Sequence, residues 1–117
     1  MFTQLTRRFS FSASHTLENA GIKCKNMHGH NYECALTLRG TLPETGYLYD
    51  LEALKEYVGS IVEELDHSYL NDTIREPTIE RISVYLYTYF KYSLDTDYKI
   101  RVEVAETKNN IASTGDF

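Results

Sequence analysis

The chain is 117 residues long, which is typical of one modest domain, and we expect a single domain over residues 1–117. A formal net charge of -5, with no dense Lys/Arg block, excludes a general electrostatic attraction to nucleic acid or acidic membranes. Met1 leads into a mixed polar and apolar stretch without a run of about 18 apolar residues, so we expect a cytoplasmic protein with no membrane span.

Two segments in the first third of the chain alternate apolar and polar residues, as half-buried strands do. They run from Leu5 to His15 and from His28 to Leu38. Side chains two residues apart in a strand point to the same face, so the imidazoles of His28 and His30 are expected to reach one point. His15 is expected to end the first strand on its apolar face.

Two helices are predicted in the middle of the chain. A turn over Thr41–Gly46 precedes Asp50, which is a good N-cap for the helical spacing of apolar residues over Leu51–Leu65. Pro77–Thr78 begins a second helix, with an apolar side over Ile79–Phe90. We expect this helix to close at the polar segment 95–97.

Two further strands are predicted after the helices. Tyr98–Glu106 alternates again and places the Glu106 carboxylate on the apolar face, and a short last strand passes Ile111 and Ser113. The order ββααββ predicts an α+β fold, a four-stranded antiparallel sheet with two helices on one face. Such a sheet has two open edges, which proteins often cover by forming oligomers. Ten tyrosines suit either subunit contacts or solvent-facing strand positions.

The histidines are the first candidates for chemistry. Two neighbouring imidazoles gain little from each other, so a shared metal ion is the simplest explanation of His28 and His30. His15 by itself is more simply a hydrogen-bonded core residue, but beside the pair it is the best third ligand. Three protein ligands and one open position are typical of catalytic zinc.

The cysteines are too few for a secreted disulfide scaffold, so Cys24 and Cys34 are expected to be free thiols. Cys34 follows the strand pattern and is expected in the core. Cys24 lies four residues before His28, between Lys23 and Lys25, and nearby cations favour its thiolate. Cys24 is therefore either a base or a fourth ligand that closes a structural zinc site.

Two acidic residues, Asp66 and Glu106, also have alternative roles. Asp66 and His67 form either a cap at the end of the first helix or a proton relay in which the carboxylate orients the imidazole. Glu106 on an apolar face needs either an internal arginine or a ligand to satisfy it. A carboxylate matches the two N–H donors of an amino-pyrimidinone ring.

In this order and spacing, the motifs resemble the 6-pyruvoyl-tetrahydropterin synthase and 6-carboxytetrahydropterin synthase family. They are Phe11-Ser-Ala-Ser-His15, Cys24-x3-His28-Gly-His30-Asn-Tyr32, Gly46-Tyr-Leu-Tyr-Asp50-Leu with Leu54-Lys55, Leu65-Asp-His67-x-Tyr-Leu-Asn71, Pro77-Thr-x-Glu80 and Glu106-Thr107. The resemblance implies the tunnelling fold, in which three subunits join their sheets into a barrel and two trimers stack as a hexamer. Active sites would then lie between subunits.

The resemblance also implies the site. The implied zinc ligands are His15, His28 and His30, the catalytic residues are Cys24, Asp66 and His67, and the substrate-binding residues are Glu106, Thr107 and Thr78. The segment around Thr78 departs from the family in one respect, since Arg81 stands where many members have asparagine.

The gap of three residues between Cys24 and His28 resembles the 6-carboxytetrahydropterin synthases of queuosine biosynthesis, because pyruvoyl-forming members have a longer gap. The implied reaction is that of a carbon-carbon lyase. It converts 7,8-dihydroneopterin triphosphate to 6-carboxy-5,6,7,8-tetrahydropterin, with release of acetaldehyde and triphosphate. The alternatives are the pyruvoyl-forming elimination of triphosphate and a noncatalytic zinc- or pterin-binding module. An anionic substrate requires a local cationic rim, for which Lys23 and Lys25 are candidates.

Overall fold

The structure is a computed structural model that describes residues 1–18, 28–94 and 96–117, with residue 28 described by its backbone. The described strands are β1 (Phe2–His15), β2 (His28–Thr41), β3 (Lys99–Thr107) and β4 (Asn110–Gly115), and the helices are α1 (Leu51–Leu65) and α2 (Ile79–Ser93), with a 3-10 turn at Leu70–Asp72. Their order is the predicted ββααββ.

The four strands form one antiparallel sheet in the order β1-β2-β3-β4, which confirms the predicted fold class. β1 and β2 pair over their whole length, from Phe2 opposite Thr41 to His15 opposite His28. Both strands extend further than the alternation predicted. The ladder continues past Leu5 because backbone pairing does not require burial, and Phe2 at its end is 73% exposed.

The core lies between one face of the sheet and the two helices. The buried strand side chains have the predicted parity, with Phe11 and Ala13 in β1 and Tyr32 and Leu36 in β2. The helices bury most of their predicted apolar faces, namely Leu54, Val58, Ile61 and Leu65 of α1 and Ile82, Leu86 and Phe90 of α2. Leu51, at the first turn of α1, is instead exposed, and α2 also buries Ser83. Each fully buried leucine or isoleucine contributes about 1.5–3 kcal/mol relative to an exposed one.

Both helices begin at side-chain caps. Asp50 accepts a hydrogen bond from the backbone N–H of Ala53 at 2.9 Å, as predicted, and Thr78 accepts one from the N–H of Arg81 at 3.2 Å. These bonds satisfy amide donors that have no partner within the first helical turn. α2 ends at Ser93, with Leu94 as its C-cap, slightly before the predicted close at 95–97.

The segment that follows α1 adds to the free edge of β1. The backbone N–H of His67 donates to the carbonyl of Ser12 at 2.6 Å, and the N–H of Ser14 donates to the carbonyl of Ser68 at 3.0 Å. Ser14 and Tyr69 form a parallel bridge. The chain therefore covers one end of this edge itself, and the bonds fix the position of His67 beside the histidine-bearing end of the sheet.

Asp116 ties the C-terminus to α2 and β3. Its carboxylate accepts hydrogen bonds from Tyr87, from Lys91 Nζ at 2.7 Å and from the Ile100 N–H at 3.0 Å. Burial acts to raise the pKa of Asp116, but these donors outweigh burial and hold the pKa at about 2, below the ordinary value for an aspartate. A lowered carboxyl pKa stabilises the fold above the unfolded pKa, and this contribution is lost as the pH falls through about 2.

Replacing Asp116 with Asn is therefore expected to lower the free energy of unfolding by about 1–2 kcal/mol at pH 7, after allowance for partial solvent exposure. Urea denaturation of the two proteins between pH 7 and pH 2 measures this difference. The difference should shrink as the pH falls below about 4. Equal stability at pH 7, or an undiminished gap at pH 2, would contradict this role.

None of the helices in residues 1–18, 28–94 and 96–117 is long and apolar enough to span a membrane.

Candidate functional site

Three potential metal-ligating side chains meet at one end of the sheet. His15 ends β1, His30 lies near the start of β2, and Glu106 lies near the end of β3. One ligand atom from each lies within 4.8 Å of those of the other two. A bulge between Ala105 and Thr107 interrupts the β3–β4 ladder at Glu106. The sheet thus gathers at one point residues that are up to 91 positions apart in the chain.

Glu106 forms the closest contact in this cluster. Its Oε1 lies 2.6 Å from Nε2 of His30, and both side chains are about one quarter exposed, at 28% and 27%. The sequence predicted that an internal arginine or a ligand would satisfy this carboxylate, and the structure places a histidine there instead. The cluster therefore joins the predicted substrate anchor to the predicted metal ligands.

Tyr32 packs behind the cluster. Its hydroxyl lies 2.7 Å from Nδ1 of His15, and both residues are buried. The Phe11 ring stacks on the Tyr32 ring, with centroids 5.2 Å apart. Burial, with a smaller effect of the Glu106 charge, raises the pKa of the Tyr32 hydroxyl, which therefore stays protonated. Sequence reasoning did not assign Tyr32 to the site, although it shares the strand parity of His30.

The donor set fits a zinc ion. Imidazole nitrogens and carboxylate oxygens are both common zinc ligands, and His15 and His30 supply the nitrogens. The backbone of His28 pairs directly with that of His15, at the same end of the sheet. The side chain of His28 lies outside the described residues, so its predicted role as a ligand stays a prediction.

The Asp66–His67 pair lies beside the cluster. Nδ1 of His67 is 3.0 Å from Oδ2 of Asp66, and Oδ1 of Asp66 accepts the Ser12 N–H at 2.8 Å. That backbone hydrogen bond, with the His67 contact, lowers the pKa of Asp66. The imidazole is 84% exposed, and His67 and His30 line one cavity of about 380 Å³.

His67 has a left-handed backbone, with φ of 60°, which favours glycine and asparagine over most residues. The backbone N–H of Asp66 donates to the carbonyl of Val62 and closes the last turn of α1. This geometry makes the imidazole available to a proton relay, because the contact described for the imidazole is with the Asp66 carboxylate rather than with a helix carbonyl.

His67→Asn is a direct test of the relay. Asparagine tolerates the left-handed backbone, so we expect the free energy of unfolding to change by less than about 0.5 kcal/mol. If the predicted relay operates, loss of this ring is expected to lower kcat by about 10²-fold while zinc content is unchanged. Steady-state kinetics with metal analysis measures both effects. An unchanged kcat would mean that the imidazole only completes the end of α1.

Glu106 also opens onto a second cavity of about 460 Å³, which it lines together with Ile79, Glu80 and Asn110. The other two predicted substrate-binding residues are engaged locally. Thr78 caps α2, and Oγ1 of Thr107 accepts the Asn109 N–H at 3.3 Å. The structure therefore brings Glu106 to the cluster, whereas the hydroxyls of Thr78 and Thr107 have described partners elsewhere.

The structure describes only one of the two cysteines, Cys34. Cys24 and the flanking Lys23 and Lys25 lie outside the described residues. Cys34 is a buried free cysteine, as predicted, and burial, together with the charge of Glu33, raises the pKa of its thiol to about 12. Cys34 is therefore an unreactive core residue at neutral pH.

The comparison with protein-family models decides the classification. Residues 4–116 match the model described as 6-pyruvoyl tetrahydropterin synthase. The chain belongs to this family. The family predicted from the motifs is therefore confirmed, and the chain is a pterin-processing enzyme of the 6-pyruvoyl tetrahydropterin synthase family.

Relatives within the 6-pyruvoyl tetrahydropterin synthase family are named for different activities. The human 6-pyruvoyl tetrahydrobiopterin synthase is 36% identical in an alignment 129 positions long, gaps included, that covers 92% of this chain and 88% of that protein. A 6-carboxy-5,6,7,8-tetrahydropterin synthase from Synechocystis is 36% identical over 89 residues, covering 69% of each protein. The solved Caenorhabditis elegans 6-pyruvoyl tetrahydropterin synthase superposes with a TM-score of 0.87 at 28% identity, covering 100% of this chain and 97% of that one.

Proposed function

We propose that the protein is a zinc-dependent carbon-carbon lyase that converts 7,8-dihydroneopterin triphosphate to 6-carboxy-5,6,7,8-tetrahydropterin, releasing acetaldehyde and triphosphate. The observation that carries the proposal is the convergence of His15, His30 and Glu106 within 4.8 Å. Two imidazoles alone would suit many metal sites. A carboxylate beside them suits a site that also holds an amino-pyrimidinone ring, whose two N–H groups can donate to its oxygens.

The proposed metal ligands are His15, His28 and His30. Zinc bound there would supply a Lewis acid that acidifies substrate hydroxyls and stabilises developing negative charge. The protein's part is to hold neutral imidazoles in place. His15 is 2% exposed, so its ring is fixed by packing, whereas His30 borders the cavity that it shares with His67.

The remaining residues bind the substrate and move protons. Glu106 anchors the pterin from the cavity of about 460 Å³ that its side chain lines. Cys24, as the thiolate, acts as the base, and the ring of His67, which borders the cavity of about 380 Å³, exchanges protons with Cys24 or with substrate. Asp66 keeps that imidazole oriented through its 3.0 Å contact and stays ionised because its pKa is lowered.

The spacing between Cys24 and His28 favours this reaction over its nearest alternative. Three residues separate Cys24 from His28, as in 6-carboxytetrahydropterin synthases. The pyruvoyl-forming reaction on the same substrate is the second candidate, and the 92% coverage of this chain by the human pyruvoyl-forming relative favours it. The two reactions differ in whether a two-carbon aldehyde leaves.

We further propose a homohexamer, a dimer of trimers with active sites between subunits, built from this single domain and working in the cytoplasm in a pathway such as queuosine synthesis. β1 and β4 are the edge strands of the described sheet, and joining them between subunits would close a barrel. Native mass spectrometry measures the subunit number, and a monomer at micromolar concentration would contradict the assembly.

Product identification tests the proposed reaction. Purified zinc-loaded protein is incubated with 7,8-dihydroneopterin triphosphate, and the products are analysed by mass spectrometry and by reduction of trapped acetaldehyde. We expect 6-carboxytetrahydropterin and one acetaldehyde per substrate consumed. Triphosphate with a pyruvoyl pterin and no acetaldehyde would establish the second candidate, and unchanged substrate would favour the noncatalytic module.

A further inference from the structure

The contact between Tyr32 and His15 bears on how the site is held in place. The hydroxyl of Tyr32 lies 2.7 Å from Nδ1 of His15, so this ring nitrogen is hydrogen-bonded to the tyrosine. Both side chains are enclosed by the protein, since Tyr32 is 0% exposed and His15 is 2% exposed. The Phe11 ring, with its centroid 5.2 Å from that of Tyr32, holds the phenol from the other side.

A neutral imidazole carries its proton on one nitrogen and a lone pair on the other, and only the lone pair can bind a metal. The group that accepts the hydrogen bond from the protonated nitrogen therefore decides which nitrogen keeps its lone pair for the metal. With Nδ1 facing Tyr32, the nitrogen left to face the cluster is Nε2. The His15 and His30 rings lie with centroids 5.1 Å apart, close enough for both to serve one ion.

We propose that Tyr32 is a positioning residue whose hydroxyl oxygen accepts a hydrogen bond from Nδ1–H of His15 and thereby leaves the Nε2 lone pair of His15 for the metal. The inference rests on the proposed function, because it concerns the zinc ligand that the function requires. Tyr32 suits this role because its hydroxyl lies 2.7 Å from Nδ1 of His15 and its ring stacks on Phe11.

Tyr32→Phe is the test variant, because phenylalanine keeps the buried ring and its stacking on Phe11 but removes the oxygen. Tyr57→Phe is the matched control, since the Tyr57 hydroxyl also forms a hydrogen bond with a side chain, that of Ser93, but between α1 and α2 rather than at the cluster. The zinc dissociation constant is measured by competition with a chromogenic chelator. The melting temperature of each metal-free protein is measured in parallel.

We expect the zinc affinity of Tyr32→Phe to fall by about 10–100-fold, while Tyr57→Phe binds zinc as the wild type does. A purely structural role would lower the melting temperature of the metal-free protein and leave the zinc affinity of the folded protein unchanged. A zinc affinity of Tyr32→Phe within twofold of the wild type would overturn this inference alone. A wild-type protein that does not bind zinc would overturn the proposed function as well.

If Tyr32→Phe does not fold, 15N NMR of the zinc-loaded wild-type protein decides the question. The chemical shifts of the His15 ring distinguish a protonated Nδ1 with a metal-bound Nε2 from the opposite arrangement. The first arrangement is the expected one. A metal-bound Nδ1 would show that Tyr32 cannot be acting as the acceptor proposed.

Discussion

His30→Ala is expected to abolish both zinc binding and turnover. His30 is the residue that the structure places in contact with Glu106 and within 4.8 Å of the His15 ligand atom, so its loss disrupts the centre of the cluster. Zinc affinity should fall by more than about 100-fold, since loss of a supporting residue alone costs 10–100-fold. Loss of a Lewis acid worth several kcal/mol should lower turnover by about 10³-fold or more.

Two further variants separate loss of metal from loss of fold. His30→Gln keeps an N–H donor for the Glu106 carboxylate, so the folded protein should persist while the imidazole ligand is gone. His67→Asn removes a different imidazole and should retain zinc. Metal content by plasma mass spectrometry, together with kcat, measures all three variants. A His30→Ala protein with full zinc content and full turnover would refute the proposed metal centre.

Cys24→Ala is expected to lower kcat by about 10²–10⁴-fold and to leave zinc content unchanged. The reason is chemical. A thiol flanked by Lys23 and Lys25 forms thiolate readily, whereas alanine can neither accept nor return a proton. Zinc would remain because the three histidines supply an open catalytic site without the cysteine. Loss of zinc and of folding would instead show that Cys24 closes a structural site.

Thiol labelling provides the matched control. Cys34 is buried and its pKa is raised to about 12, so it should resist iodoacetamide at neutral pH in the folded protein. Cys24 should react, and its modification should track the loss of activity. Wild-type protein that reacts no faster than the Cys24→Ala variant would contradict an activated thiolate at this position.

The alternation of apolar and polar residues alone predicted which site residues lie on the inner face of the sheet. Alternation placed His15 at the buried end of β1 and Glu106 on the inner face of β3, and the structure confirms both placements. The sequence pattern could not predict that His30 contacts Glu106. Alternation assigns a face to each strand, whereas the pairing of β2 with β3 depends on helices and turns that separate them by more than 50 residues.

The position of Asp66 and His67 was also beyond local patterns. The sequence predicts the end of α1, but not that the next residues pair with β1 through Ser12 and Ser14. Such pairing satisfies backbone groups at a sheet edge and carries no side-chain period. For the same reason the strand ends were predicted too short. Backbone pairing extends β1 to Phe2, where little is buried.

Zinc K-edge X-ray absorption of the metal-loaded protein tests the central claim most directly, because it distinguishes nitrogen and oxygen ligands from sulfur. We predict nitrogen and oxygen scatterers at about 2.0–2.1 Å, including the outer-shell signature of three imidazoles, and no sulfur. His30→Gln should lose one imidazole from this spectrum or bind no zinc. A sulfur scatterer at about 2.3 Å that disappears in Cys24→Ala would contradict an open catalytic site and establish a closed structural one.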